Sequence, residues 1–494
     1  MLFNSINFLL FFPVVIFFYF LIPDRLKTYW LLAASYYFYM SWNAKFGLLI
    51  LFITGCTYLC SLLIEKSRDE NGNTRKTHLY TAICIVTSLS LLAYFKYTGF
   101  ALNTLERVLN RIGILWKSPA LDIVLPVGIS FFTFQAISYV IDVYRGDIYA
   151  EKNFFRYALF VSFFPQLVAG PIERSRNLLK QLAVPKKFSF ESAREGALLM
   201  LWGYFLKMVI ADRAAIFVNV VYADTRFYQG WYMIVATMLF AVQIYCDFSG
   251  YSIIAMGAAK VLGIQLMENF QAPYLSESVS EFWRRWHISL TSWFKDYLYI
   301  PLGGSRKGLL RKHLNRIIVF MVSGLWHGAQ WTFVIWGGLN GLYQVLGDML
   351  KPFREKLIHL FCLNPDSMGH KCIRILITNI LVCISWVFFR AASVSDAFRI
   401  LSGMLTVQNP QILWDGSLYL LGLDHKNFKL LLLSIAILLF ADFCKKRGIV
   451  VRDVIIRQDY WLRWLIIALS VCAILLFGIW GTAYDATNFI YFQF

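Results

Sequence analysis

A long apolar run without charged residues constrains this sequence more than any other feature. Residues 317–346 contain no Lys, Arg, Asp or Glu. As one helix they would extend about 45 Å at roughly 1.5 Å per residue, more than the about 30 Å of a bilayer hydrocarbon core. His327 lies near the middle, and an ionisable group at membrane depth is costly unless it faces a polar cavity. The run predicts a membrane-embedded helix with a functional candidate at its centre.

Composition extends this prediction to the whole chain. Of its 494 residues, 59% are hydrophobic and 15% are charged, whereas soluble domains are about 45–50% apolar and about 25% charged. The net charge of +18 fits Lys and Arg in cytoplasmic loops and beside anionic headgroups better than nucleic-acid binding. No basic block with interleaved aromatic residues stands outside the apolar framework. We therefore expect an all-α polytopic membrane protein. Its expected partners include membrane lipids and exclude nucleic acid.

The apolar runs predict 10 to 12 crossings within one membrane-embedded domain, residues 1–494, with core motifs in 121–347. Arg25 and Lys27 follow the first run, which predicts that the N-terminus lies outside. The polar loop 65–76 has basic residues of its own and is predicted to lie inside. Charge does not fix the orientation of the last third, because 351–356 and 445–457 both look cytoplasmic. Besides 317–346, the runs are 8–22, 30–42, 46–64, 78–97, 121–144, 197–210, 231–262, 373–389, 430–443 and 461–480.

Two segments have sequence patterns that differ from that of a simple membrane-spanning helix. Residues 154–171 end with Pro165, Gly170 and Pro171, which argue against an uninterrupted helix and predict a broken or re-entrant segment. Residues 281–302 intersperse aromatic residues with Arg and Lys, which predicts an interfacial helix.

Two of the seven histidines stand out as candidates for chemistry. His327, beside Trp326, is either a helix-packing hydrogen-bond partner or a general base kept neutral by desolvation. His287 follows Trp286 on the predicted interfacial helix. The remaining five are expected to be solvated or interfacial: His78, His313, His359, His370 and His425.

Metal and serine-nucleophile chemistry lack sequence support. No H-E-x-x-H occurs, no Cys or second His lies at ligand spacing from His327, and no G-x-S-x-G is present. The nine cysteines are expected to be small buried hydrophobes rather than disulfides or metal ligands.

Charged residues inside or beside the apolar runs leave two interpretations open. Asp247, in a block with Tyr245 and Ser249, is either tied to an Arg of a neighbouring segment or orients a catalytic or acceptor-binding group. Arg174, Arg284 and Arg285 are either headgroup anchors or ligands for the phosphates of coenzyme A or a phosphopantetheine arm.

Ordered sequence blocks resemble the membrane-bound O-acyltransferase family, in its bacterial alginate O-acetylation branch. They cover most of the chain: LPVGISF (125–131), FPQLVAGPI (164–172), QIYCDFSGY (243–251), EFWRRWHISL (281–290), DYLYIPLGG (296–304), SGLWHGAQW (323–331) and IYFQF (490–494).

The resemblance implies helices around a central funnel, in which a cytosolic acyl donor and an extracytoplasmic acceptor meet near His327. It makes His327 the catalytic residue and maps a second family histidine to His287. Two positions depart from the family pattern: Ile253 follows Tyr251-Ser252 where relatives often have Asp, and Asn340 stands where they often have His.

The expected activity is transfer of an acyl group, most simply acetyl, in the plasma membrane of a bacterium. Acetyl-CoA or an acyl carrier thioester would be the donor substrate, with no permanently bound cofactor. An extracytoplasmic polysaccharide would accept the group, directly or through a secreted partner acyltransferase. D-alanyl transfer towards teichoic acid is the second enzymatic alternative, and a transporter or flippase is the alternative from another class.

Overall fold

The structure, a computed structural model, is helical throughout the residues it describes, which are 1–69, 72–121, 123–168 and 170–480. Within these ranges β-structure is limited to one isolated bridge, between Asp69 and Gly72. The chain divides into two compact units, residues 1–200 with 255–267, and residues 201–254 with 268–494. The predicted all-α class is confirmed.

The first unit is a set of helices in which α3 packs on α4 and α5, and α2 packs on α6. The helices are α1 (Ile6–Leu21), α2 (Asp24–Met40), α3 (Lys45–Lys66), α4 (Arg75–Arg111), α5 (Ile129–Arg145), α6 (Phe154–Ser162), α7 (Phe164–Leu167), α8 (Ser175–Leu182) and most of α9 (Phe190–Tyr204).

The second unit contains the helices around both candidate histidines. A π-helical turn, Phe205–Ala211, continues α9 into α10 (Asp212–Ala223), and a second, Lys295–Tyr299, follows α13. The helices after α10 are α11 (Trp231–Val261, which ends in the first unit), α12 (Val279–Arg285), α13 (Ile288–Phe294), α14 (Leu309–His327), α15 (Trp331–Met349), α16 (Lys351–Leu360), α17 (Met368–Arg390), α18 (Val394–Thr406), α19 (His425–Lys446), α20 (Val451–Ile456) and α21 (Tyr460–Phe477).

Six helices in the described part of the chain are long and apolar enough to cross a membrane: α3, α4, α11, α17, α19 and α21. The apolar α1 is shorter, with 16 residues. The other helices of the 10 to 12 predicted crossings are shorter, interrupted, more charged or less apolar. The chain is a multi-pass membrane protein.

The predicted break in residues 154–171 is present, since α6 ends at Ser162 and α7 begins at Phe164. Buried side chains satisfy the backbone groups freed there. The Phe164 N–H donates to Ser35 Oγ at 3.1 Å, and the Phe160 carbonyl accepts from Gln135 Nε2 and Gln166 Nε2, each at 2.8 Å. Non-helical backbone is tolerated at membrane depth when protein groups complete its hydrogen bonds.

The run 121–144 was predicted to be helical from its start, and this is wrong for its first part. Helix α5 begins only at Ile129, because Gly128 adopts a left-handed φ of 76°. A Cβ at Gly128 would lie 2.5 Å from the Leu167 carbonyl oxygen, so a residue with a side chain does not fit there. The preceding span is longer than predicted, because α4 continues to Arg111.

Candidate active site

His327 is the last residue of α14, so the prediction of one helix over residues 317–346 is wrong. Gly328 is extended (φ −154°, ψ 145°), and α15 starts at Trp331. Two antiparallel helices joined by three residues therefore replace the single long helix. We call them the His327 hairpin.

Glycines allow the two helices of the His327 hairpin to touch. A Cβ at Gly324 would lie 2.1 Å from the Phe333 carbonyl oxygen, and a Cβ at Gly337 would lie 2.2 Å from the Phe320 carbonyl oxygen. Small residues permit this close backbone approach between membrane helices. The glycines around His327 thus build the hairpin that places its imidazole, which is 5% exposed.

His287 lies in a sharp turn, so the predicted continuous interfacial helix over 281–302 is also wrong. Helix α12 ends at Arg285 and α13 begins at Ile288. His287 itself has a left-handed φ of 45° and ψ of 53°, a conformation that costs a non-glycine residue about 1–3 kcal/mol. Its side chain is fully buried.

The structure brings the two predicted catalytic histidines together. Their ring centroids are 6.2 Å apart, and the Trp326 ring lies 5.9 Å from His287 and 4.9 Å from His327. Aromatic rings complete the wall: Phe248 at 4.6 Å from His287, and Trp336 at 5.1 Å and Phe389 at 5.6 Å from His327. Aromatic surroundings of this kind exclude water from the two imidazole rings.

The two imidazoles stand at helix ends of opposite polarity. His327 ends α14, where the partial negative charge of a helix C-terminus favours an imidazolium. His287 precedes α13, where the N-terminal partial charge disfavours one, and burial lowers the pKa of His287 to about 3. The two imidazoles thus lie in opposite helix-end fields, and only His287 stands at an N-terminus.

Asp247 is tied to a lysine, not to an arginine as expected. Lys207 Nζ lies 2.5 Å from Asp247 Oδ1 and 2.8 Å from Asp212 Oδ1, and all three side chains are buried. Lys207 belongs to the π-helical turn Phe205–Ala211. We call this group the Lys207 triad; its arrangement favours the structural interpretation of Asp247.

The other predicted residues of this unit are buried around the histidine pair. The Tyr245 hydroxyl donates to Asp442 Oδ1 at 3.0 Å. Asn340 Oδ1 accepts from Trp283 Nε1 at 3.0 Å, which fastens α12 to α15. The Trp286 ring packs on Trp386, with centroids 5.2 Å apart.

Ser249 lies on α11 and is 1% exposed. Its Oγ has no hydrogen-bond partner among the residues that the structure describes. Of the two predicted candidates with a hydroxyl in the block around Asp247, Tyr245 donates to Asp442, and Ser249 forms no hydrogen bond with a described protein group.

The predicted arginines are more accessible than the rest of the site. Arg284 is exposed, while Arg285 forms an ion pair with Glu281 at 2.8 Å and donates to the Gln271 carbonyl at 3.3 Å. Arg174 lies in the first unit, where it precedes α8 and is half-buried.

His313 corrects the expectation that the five other histidines are solvated or interfacial. It is 8% exposed, on α14, and its two ring nitrogens have no hydrogen-bond partner among the described residues. Its place in the sequence, between charged residues, gave no sign of this burial.

Three cysteines form the one group of side chains at metal-ligand spacing in the described residues. The sulfur atoms of Cys56, Cys60 and Cys84 lie within 4.8 Å of one another, between α3 and α4. The same helix faces carry buried Thr57 and Thr81, and small residues of this kind are typical of close helix packing in membranes. We interpret the cysteines as part of that packing.

Sequence reasoning missed Lys207, Trp336 and Phe389. Lys207 was recognisable, because a lone lysine interrupts an apolar stretch, Phe205–Ala211. The aromatic rings gave no local signal, since Trp and Phe are frequent throughout the chain.

Comparison with known proteins assigns this chain to one family. The model for the membrane-bound O-acyltransferase family matches residues 150–361. The probable alginate O-acetylase AlgI of Azotobacter vinelandii is 36% identical over 409 residues, covering 82% of this chain and 78% of that protein. The chain belongs to the membrane-bound O-acyltransferase family and is an O-acyltransferase.

Two further relatives carry different acceptors in their names. The peptidoglycan O-acetyltransferase of Helicobacter pylori is 33% identical over 446 residues, covering 82% of this chain and 80% of that protein. The teichoic acid D-alanyltransferase of Bacillus subtilis is 26% identical over 281 residues, covering 53% of this chain and 68% of that protein. The transporter alternative is thereby replaced by acyl transfer.

Proposed function

We propose that the protein transfers an acetyl group from a cytosolic thioester to a hydroxyl of an extracytoplasmic polysaccharide, directly or through a secreted partner acyltransferase. The observation that carries the proposal is the pair of buried imidazoles, 6.2 Å apart, in a chain of this family. The names of its alginate and peptidoglycan relatives support acetyl transfer to a polysaccharide. The site lies in one acyltransferase domain in the plasma membrane of a bacterium.

In this mechanism His327 is the general base. It takes the proton of the acceptor hydroxyl as that oxygen attacks the thioester carbonyl carbon. The carbon–sulfur bond breaks, the new ester bond forms, and His327 returns the proton to the leaving thiolate. The C-terminal end of α14 stabilises the transient imidazolium. A variant of this route has His327 carry the acyl group transiently.

His287 holds the donor next to His327 as a neutral ring. The thioester is a substrate and not a resident cofactor. Arg284 and Arg285 are the candidates in this unit for its phosphate groups, because Arg pairs with phosphate in a bidentate way. Proximity and orientation within the aromatic wall supply the rate enhancement.

Replacement of His327 by Ala tests the proposal. In a deletion strain complemented with the variant, ester-linked acetate released from surface polysaccharide by mild alkali should fall to the level of the empty vector. His359→Ala, at an exposed histidine, is the matched control and should retain acetylation. Acetate at the wild-type level with His327→Ala, at equal protein in the membrane, contradicts the catalytic role.

D-alanyl transfer towards teichoic acid is the second candidate, because the Bacillus subtilis D-alanyltransferase matches about half of this chain. The same alkaline hydrolysate distinguishes the two activities. Loss of D-alanine, with acetate unchanged, would favour this candidate over acetyl transfer.

A further inference from the structure

The left-handed turn at His287 is held by a segment that lies earlier in the chain, residues 269–271. The Gln271 N–H donates to the Arg285 carbonyl at 2.9 Å, and the Ile288 N–H donates to the Asn269 carbonyl at 3.0 Å. These two bonds lie on either side of Trp286 and His287. The segment thus brackets the turn.

Asn269 also completes the N-terminus of α13 with its side chain. The first backbone N–H groups of a helix have no partner within the helix, and His287, in the N-cap position, forms no side-chain cap. The Ser289 N–H instead donates to Asn269 Oδ1 at 3.2 Å. Asn269 therefore accepts the first two N–H groups of α13, one with its backbone and one with its amide.

The amide of Asn269 is itself fixed to α11. Its Nδ2 donates to Ser252 Oγ at 3.0 Å, and both residues are 1% exposed. Ser252 lies on the helix that carries Phe248, whose ring packs on His287. One asparagine thereby joins the backbone of the turn to the helix that forms one wall of the site.

We propose that Asn269 is a positioning residue that holds the His287 turn, and with it the His287 imidazole, beside His327. The proposal rests on the proposed function, because the turn matters for catalysis only if the histidine pair performs acyl transfer. A non-glycine residue keeps a left-handed backbone conformation only where surrounding contacts stabilise it. The hydrogen bonds of Asn269 stabilise this conformation at His287.

Substitutions at Asn269 separate positioning from general stability. Asn269→Ala removes the amide, so the turn relaxes and kcat should fall by about 10- to 100-fold, as expected for a displacement near 1 Å, with a rise in the donor KM because His287 holds the donor. Asn269→Asp keeps a side-chain acceptor for the Ser289 N–H, and a negative charge is favourable at the N-terminus of a helix. Asn269→Asp should therefore recover most of the lost kcat.

Asn315 offers a matched control. It is fully buried and donates from Nδ2 to two backbone carbonyls, those of Leu302 and Gly304, at 3.3 and 3.0 Å. Asn315→Ala removes a comparable set of hydrogen bonds elsewhere in the unit. It should lower thermal stability while leaving the kcat of the folded protein near the wild-type value.

The assay uses the full chain in lipid nanodiscs, with acetyl-CoA as donor probe and alginate as acceptor probe, and follows release of free thiol. Wild-type kcat in Asn269→Ala, or a kcat for Asn269→Asp as low as that for Asn269→Ala, overturns the inference. If Asn269→Ala does not fold, Ser252→Ala removes the acceptor of the Asn269 Nδ2 bond and should lower kcat less. An unchanged kcat in that variant also overturns the inference. Equal thiol release by wild type and His327→Ala would instead reject the proposed function.

Discussion

The His327 hairpin gives the sharpest test of how packing controls the site. In Gly337→Ala the new Cβ would lie 2.2 Å from the Phe320 carbonyl oxygen, whereas ordinary contact begins at 3.4 Å. The helices must therefore separate by about 1.2 Å, the difference between these distances, because a backbone carbonyl cannot rotate away. Overpacking of this kind costs about 1–3 kcal/mol.

The separation also affects catalysis, because Trp336 adjoins Gly337 and its ring lies 5.1 Å from the ring of His327. A displacement near 1 Å reduces activity by about 100-fold. Ester-linked acetate per unit of membrane-inserted protein measures this effect. Tryptophan fluorescence during thermal unfolding of the detergent-purified protein measures the stability.

The neighbouring Gly338 is the control, because a Cβ built there meets nothing within 4 Å. Gly338→Ala should be neutral, or more stable by up to about 1 kcal/mol from the lower flexibility of alanine. If Gly337→Ala and Gly338→Ala behave alike in both measurements, the close contact between α14 and α15 does not position His327.

Three further predictions concern the buried polar groups. Lys207→Met removes the ammonium group that pairs with Asp247 and should cost about 3–5 kcal/mol in chemical unfolding, part of which Asp247→Asn restores in the double variant. Tyr245→Phe removes the hydroxyl that donates to Asp442 and should cost about 1–3 kcal/mol in the same assay. Burial lowers the pKa of His287 from 6.5 to about 3, so the unfolded chain binds a proton below pH 6.5 that the folded chain does not. Stability should be complete above pH 6.5 and decline towards pH 3, and His287→Gln should reduce that decline in unfolding temperatures measured between pH 7 and 4.

The sequence predicted those parts of the structure that depend on local composition. Apolar runs such as those of α3 and α17 identify membrane helices directly, because insertion into hydrocarbon depends on the residues of one segment. Pro165 and Gly170 predicted the break after α6 because they alter the backbone where they stand. The sequence singled out His287 and His327 among the seven histidines, and the structure places their ring centroids 6.2 Å apart.

The turns at the two histidines could not be predicted, because neither has a local cause that hydropathy records. Residues 317–346 are uniformly apolar across the end of α14, the turn and α15, so the run reads as one helix. The turn at His287 depends on Asn269, which lies 18 positions earlier and supplies the acceptors that α13 needs. The terminal block 490–494, which also carried the resemblance, lies outside the described residues.

The partner of Asp247 shows a different limit. A buried carboxylate requires a cation, and the sequence therefore predicted an ion pair. The expectation of an arginine was wrong, because the cation is Lys207, which contacts Asp247 from the π-helical turn between α9 and α10. The direction in which Lys207 points depends on this π-helical turn, which results from packing between segments and not from residue type.

The His327 hairpin is also closed at its far end. Asp348 Oδ2 accepts from Lys312 Nζ at 2.7 Å and from Arg316 Nη1 at 2.6 Å, so an ion pair joins the start of α14 to the end of α15. Lys312 and Arg316 lie 15 and 11 residues before His327 on α14, which places this clamp about 17–23 Å from His327 at roughly 1.5 Å per residue. The two helices are thus held together at both ends, by the close glycine contacts near the tip and by this ion pair at the base.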